Sequence, residues 1–106
     1  MNTQPVTQHN DTIVALASPQ GMGAIGVIRL SGNRSFEITS SIFPSKNIAT
    51  VPSHTVHVGN IEEDGRVIDE VVVTVFKGPK SFTKEDVVEI SCHGSTFIIQ
   101  ELLQLL

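Results

Sequence analysis

The stretch from Val87 to His93 constrains this chain more than any other. Its side chains alternate, with Val88, Ile90 and Cys92 on one face and Val87, Glu89, Ser91 and His93 on the other. Such a period of two fits a strand with one face in the core and the other able to donate or accept hydrogen bonds. Glu89 stands in the middle of the second set, between the apolar Val88 and Ile90. A carboxylate in such surroundings is costly unless something pairs with it. Glu89 therefore requires a partner from the protein or from a ligand. Arg29 is the only charged residue in the apolar run 25–30. Buried charges are generally paired, so the two either bind each other or serve a ligand, singly or together.

The rest of the chain supplies a sheet for that strand. Residues 12–17 read as a first strand with Thr12, Ile13 and Val14 β-branched, and 18–23 break it with a proline and two glycines. A second strand covers 25–30, where Gly26 marks a bulge or a close backbone approach. Asn33 is placed to cap a helix over 34–43, with Phe36, Ile38, Ile42 and Phe43 as its apolar stripe and Pro44 as its stop. A loop over 45–53 leads to a strand over 54–61. Asp64-Gly65 is a hairpin signal, and its return strand, 66–76, is apolar on both faces over its second half, as a central strand is. Residues 77–80 form a turn, and Thr83 with Asp86 has the form of a capping box. Ser95 caps a last helix of broad apolar surface that runs to Leu106 without a glycine, proline or basic stop. The expected architecture is α+β: one small domain with a mixed sheet of about five strands and two or three helices, preceded by a flexible tail at 1–10. The chain is expected to be one piece of a longer protein.

A chain of 106 residues makes one domain and buries about 65% of its unfolded surface. No apolar run approaches the ~20 residues that span a bilayer, and residues 1–10 lack the basic start and apolar stretch of a signal peptide. Cys92 is the one cysteine, so no internal disulfide forms and a cytoplasmic location is the default. Seven basic against eleven acidic residues, without a basic cluster, argue against strong nucleic-acid binding by this segment itself.

Several motifs fail on context. Gly21-Met22-Gly23-Ala24-Ile25-Gly26 spells a dinucleotide fingerprint, but a β-branched strand follows where a helix is needed, and no acid stands about 20 positions on. It is a glycine connection that can also wall a ligand. His54 and His57 fall on opposite faces of one strand and cannot chelate one metal together. Glu62, Glu63 and Asp64 are solvated acids at a turn. Cys92 falls on the core face and is a small hydrophobe rather than a nucleophile. His93 is a hydrogen-bonded loop histidine or a general base whose orienting partner the sequence does not place. No phosphate loop occurs, so the segment is not by itself a P-loop GTPase, and no metal ligands or catalytic residues are assigned within it.

Three motifs in register, Asp11 to Ala15, Gly23 to Gly32 with its Val27-Ile28-Arg29-Leu30-Ser31-Gly32, and Gly78-Pro79 followed by 81–94, resemble the N-terminal domain of the MnmE (TrmE) family of bacterial tRNA-modification GTPases. The likeness runs from about Asp11 to the end of the chain and is weakest over 33–66. It implies a fold like the folate-binding domain of the glycine-cleavage T-protein and a domain that makes the homodimer. It also implies binding of 5-formyl- or 5,10-methylene-tetrahydrofolate at or near the dimer interface. Arg29 and Glu89 match the family's folate contacts, with Glu89 expected to read the pterin; Gly21, Gly23 and His93 are secondary wall candidates. A flavoprotein partner, MnmG (GidA), and a carboxymethylaminomethyl group installed on the wobble uridine of tRNA are further implications. The helical domain, the GTPase domain with GTP, magnesium and potassium, a further folate lysine and a catalytic cysteine would lie beyond Leu106. Lys84 and Ser95 stand where the family commonly has glycine. The alternative is a structural interaction domain without ligand, in which Arg29 and Glu89 pair and the last helix packs on a partner.

Overall fold

The computed structural model describes residues 6–9, 12–17, 25–78 and 85–106. The glycine connection with Gly21 and Gly23, and the segment 79–84 with most of the expected turn and capping box, lie outside the described residues. The elements are β1 (Val6–His9), β2 (Thr12–Leu16), β3 (Ile25–Ser31), α1 (Ser35–Ile42), a 3-10 turn (Ile48–Thr50), β4 (Thr55–Glu63), β5 (Arg66–Phe76), β6 (Val87–His93) and α2 (Thr96–Leu105). The class is α+β, as the sequence implies. Among the described residues the sheet has six strands in the order β1-β2-β3-β6-β5-β4, and every pairing is antiparallel, where a mixed sheet was expected. β6 inserts between β3 and β5, antiparallel to both, so no parallel neighbours arise. The extra strand is β1, within the stretch expected to be a tail, which pairs with β2.

Burial follows the alternation. Val14, Leu16, Ile28, Leu30, Val71, Val73, Val75, Val88, Ile90 and Cys92 point into one core, which α1 and α2 close through Ile38, Ile42, Ile99, Leu102 and Leu103. The opposite face of the sheet carries Arg29, Glu89, Thr74 and Ser91, together with the exposed Ile13, Ile25, Val56 and Val58. Two glycines permit close packing on the core side. A Cβ on Gly26 would stand 2.9 Å from Ile99 Cδ1, and one on Gly59 would stand 2.9 Å from two ring atoms of Phe43. Gly26 is thus a close approach, one of its two expected roles.

Asp64 and Gly65 have φ of 52° and 78°, the paired positive values of a two-residue hairpin loop between Glu63 and Arg66. The expected Asn33 cap is corrected: the N-cap residue of α1 is Arg34, and no side chain of its own caps the helix. The Arg34 backbone N–H instead donates to Thr12 Oγ1 at 2.9 Å, so a hydroxyl from β2 satisfies the entry to the helix. Ser95 does cap α2, accepting from the Ile98 N–H at 3.4 Å.

Candidate functional site

β3 and β6 lie side by side with Arg29 directly opposite Glu89. Ala15 on β2 and Thr74 on β5 complete one row across the open face. Cross-strand partners on one face have Cβ atoms about 5 Å apart, so register alone brings guanidinium and carboxylate together. Arg29 Nε and Nη2 donate to Glu89 Oε2 at 2.9 and 2.6 Å. Both bonds go to the same oxygen, so Oε1 stands outside the fork. The side chains are 42% and 22% exposed, which makes this a partly solvated pair. Beside Arg29 the β2 side of the sheet opens into a cavity of about 480 Å³, with Ile13, Ala15, Leu16 and Ala17 as apolar lining and Arg29, Ser31 and Glu85 as polar groups. A flat apolar ligand with polar edges fits such a lining better than an ion does.

His93 ends β6 on the same face and finds the partner the sequence could not place. Asp69 Oδ1 lies 2.6 Å from His93 Nδ1, and Asp69 Oδ2 accepts the His93 backbone N–H at 2.9 Å. A register shift at Ile61/Glu62 in the β4–β5 ladder leaves Ile68 as an extra residue, so Ile68 and Asp69 are buried in succession instead of alternating. The bulge aims the 8% exposed carboxylate of Asp69 at the end of β6, while the His93 ring is 70% exposed. Asp69 is the residue that sequence reasoning missed; its signal was an acid interrupting the apolar run of β5.

Cys92 is buried in the core as expected, with its thiol 3.5 Å from the Gly26 carbonyl. Burial, helped by the charge of Asp69, pushes its pKa up to about 11, the opposite of what a nucleophile needs. The histidines of β4 and its approach bind hydroxyls: His54 Nδ1 contacts Ser53 Oγ and His57 Nε2 contacts Thr55 Oγ1, both at 2.8 Å. Among the described residues no group of three or more His, Cys, Asp or Glu is placed to hold a metal. The last helix is not a free apolar surface, because Ile99, Leu102 and Leu103 pack on the sheet of their own domain; Phe97, 68% exposed, is its outward aromatic.

Comparison with known proteins gives this geometry a family. A family profile described as GTP-binding protein TrmE N-terminus matches residues 12–106. A tRNA modification GTPase MnmE of Cytophaga hutchinsonii is 82% identical over 106 residues, which is 100% of this chain and 23% of that relative. The MnmE proteins of Streptococcus mutans and Flavobacterium johnsoniae are 50% identical over 94% of the chain and 52% over 92%, each match covering 22% of the relative. The chain thus spans under a quarter of the length of these relatives. Matched from β2 through α2, it belongs to the TrmE N-terminal domain family.

Proposed function

We propose that this chain is the folate-binding and homodimerising domain of a tRNA-modification GTPase. The observation that carries the folate reading is the forked Arg29–Glu89 pair on the open face of the sheet. A carboxylate offers about four acceptor sites; Arg29 binds Oε2 with two of its N–H donors, which leaves Oε1 outside the fork as an acceptor for a ligand. The edge of a 2-amino-4-oxo-pterin presents adjacent N–H donors to such a group. In this arrangement Glu89 reads the pterin, Arg29 holds Glu89 in place, and the apolar cavity beside Arg29 accommodates non-polar parts of the ligand. A reduced folate supplies the one-carbon unit when bound. His93 stands further along the same strand face, and Gly21 and Gly23 are candidates for the wall.

The exposed Ile13, Ile25, Val56 and Val58 support the homodimer, since a second copy would cover an apolar face of this kind. In the longer protein, GTP hydrolysis with magnesium and potassium, contact with the MnmG (GidA) flavoprotein and with tRNA, and action on the wobble uridine belong to the rest of the chain and to the assembled complex. The acidic balance of this segment fits that division. Among the described residues no helix is long and apolar enough to cross a membrane, and the cytoplasm, where tRNA is modified, is the proposed location.

Calorimetric titration with 5-formyl-tetrahydrofolate tests the reading. The wild-type chain is expected to saturate near one ligand per chain. Glu89→Gln keeps the shape but replaces one acceptor oxygen by an N–H donor, and is expected to weaken binding at least about tenfold, the equivalent of ~1.4 kcal/mol. Because the lost ion pair is partly solvated, stability should change by about 1 kcal/mol or less. Unchanged affinity in Glu89→Gln would remove Glu89 from the site. A wild-type chain that dimerises in sedimentation but gives no heat with folate would favour the structural alternative.

A further inference from the structure

Next to Ser91, the end of β6 forms a second, shallow cavity of about 190 Å³ lined by Ile25, Glu70, Val72, Ser91, Cys92 and His93. Its polar side chains are the Glu70 carboxylate, the Ser91 hydroxyl and the His93 ring, and among the described residues no lysine or arginine lines it. Asp69 decides what the ring presents there. Its carboxylate accepts the His93 backbone N–H through Oδ2 and faces Nδ1 through Oδ1, so a neutral ring carries its hydrogen on Nδ1 and a lone pair on Nε2. No bond to Nε2 is made among the described residues. The pocket is therefore rich in acceptors and favours ligands that bring N–H donors.

Glu89 and His93 share one strand face four positions apart, a Cα separation of about 13 Å at roughly 3.3 Å per residue. A fused bicyclic ring with a hydrogen bond of about 2.9 Å at each end fits a span of that order. Resting on the folate reading, we infer that the Asp69–His93 pair selects the oxidation state of the pterin. In oxidised folate the pyrazine nitrogens N5 and N8 are lone-pair acceptors, which oppose the lone pair on Nε2. In the tetrahydro ring N8 carries a hydrogen and donates to it. His93 is the discriminating contact and Asp69 is its positioning residue.

The test compares the affinities of 5-formyl-tetrahydrofolate and folic acid, by calorimetry, for the wild-type chain, His93→Ala and Asp69→Asn. The wild-type chain should prefer the reduced ligand about tenfold or more, and His93→Ala should bring that ratio toward one by weakening the reduced ligand. In Asp69→Asn the His93 backbone N–H holds the amide oxygen, so the amide N–H2 faces Nδ1 and the hydrogen of the ring moves to Nε2. Preference should then shift toward folic acid. A merely structural role would weaken both ligands together and leave the ratio unchanged. If Asp69→Asn does not fold, His93→Ala decides, because that side chain is 70% exposed. A ratio equal in the variants and the wild type, or a wild type without preference, overturns the inference while the folate reading stands. A wild type that binds neither ligand overturns both.

Discussion

Gly59→Ala isolates the packing that holds β4 against the exit of α1. A Cβ at that position would stand 2.5 Å from Ser45 Oγ and 2.9 Å from Phe43 Cε1 and Cζ. Ser45 is exposed and its hydroxyl can rotate away. Phe43 cannot: it is 0% exposed, and its ring is held in the core. Overpacking a filled core costs about 1–3 kcal/mol, offset by about 0.4–1 kcal/mol because alanine narrows the unfolded ensemble. The net loss of about 1–2 kcal/mol corresponds to a melting temperature lower by roughly 5–15 °C for a domain of this size. Thermal unfolding followed by circular dichroism reads the shift directly. Gly26→Ala is the milder comparison, because its 2.9 Å neighbour is Ile99 Cδ1, the far end of a side chain, with Ile99 Cγ1 at 3.2 Å behind it, and its cost should be smaller than that of Gly59→Ala. Adding Phe43→Leu to Gly59→Ala should recover part of the loss, since the two sites then couple through one shared volume. A Gly59→Ala domain that melts at or above the wild type, or a Gly26→Ala domain damaged as much, would refute the assignment of the strain to the Phe43 ring.

Two further perturbations probe the same framework. The Cys92 thiol has a folded pKa of about 11 against an ordinary value of 9.0, because burial and, secondarily, Asp69 disfavour the thiolate. The native state therefore binds this proton more tightly than the unfolded state. Its contribution is complete below pH 9 and is lost as pH rises from 9 to 11, up to about 2–3 kcal/mol. The chain has no tyrosine to titrate in that window; urea midpoints should fall across it in the wild type and less in Cys92→Ala, and equal slopes would contradict the burial of the thiol. Gly65→Ala tests the hairpin: φ is +78° and a Cβ would meet nothing within 4 Å, so the cost is conformational alone, about 1 kcal/mol. A loss above about 3 kcal/mol in urea unfolding would mean that the turn is crowded after all.

Local chemistry wrote much of this domain into its sequence. The bounds of β6, the core face of Val88, Ile90 and Cys92, the Asp64-Gly65 turn and the Ser95 cap all follow from interactions within a few residues, where alternation and φ preference act directly. Glu89 and Arg29 stood out for the same reason, as charges set among apolar neighbours. The start of α1 did not follow, because the N–H of its N-cap residue Arg34 is held by Thr12, far away in sequence, rather than the helix being capped by Asn33. The sheet order was equally out of reach, since the insertion of β6 between β3 and β5 is a choice among non-local pairings that all bury similar faces. The sequence by itself determined that β2 to β6 are strands, though not β1, and that Arg29 and Glu89 need partners. Only the tertiary structure decided that Arg29 meets Glu89 through strand register, and that one extra residue in β5 turns Asp69 onto His93; a hydrogen bond spanning 24 positions is fixed by where strands pair, and no local pattern encodes that.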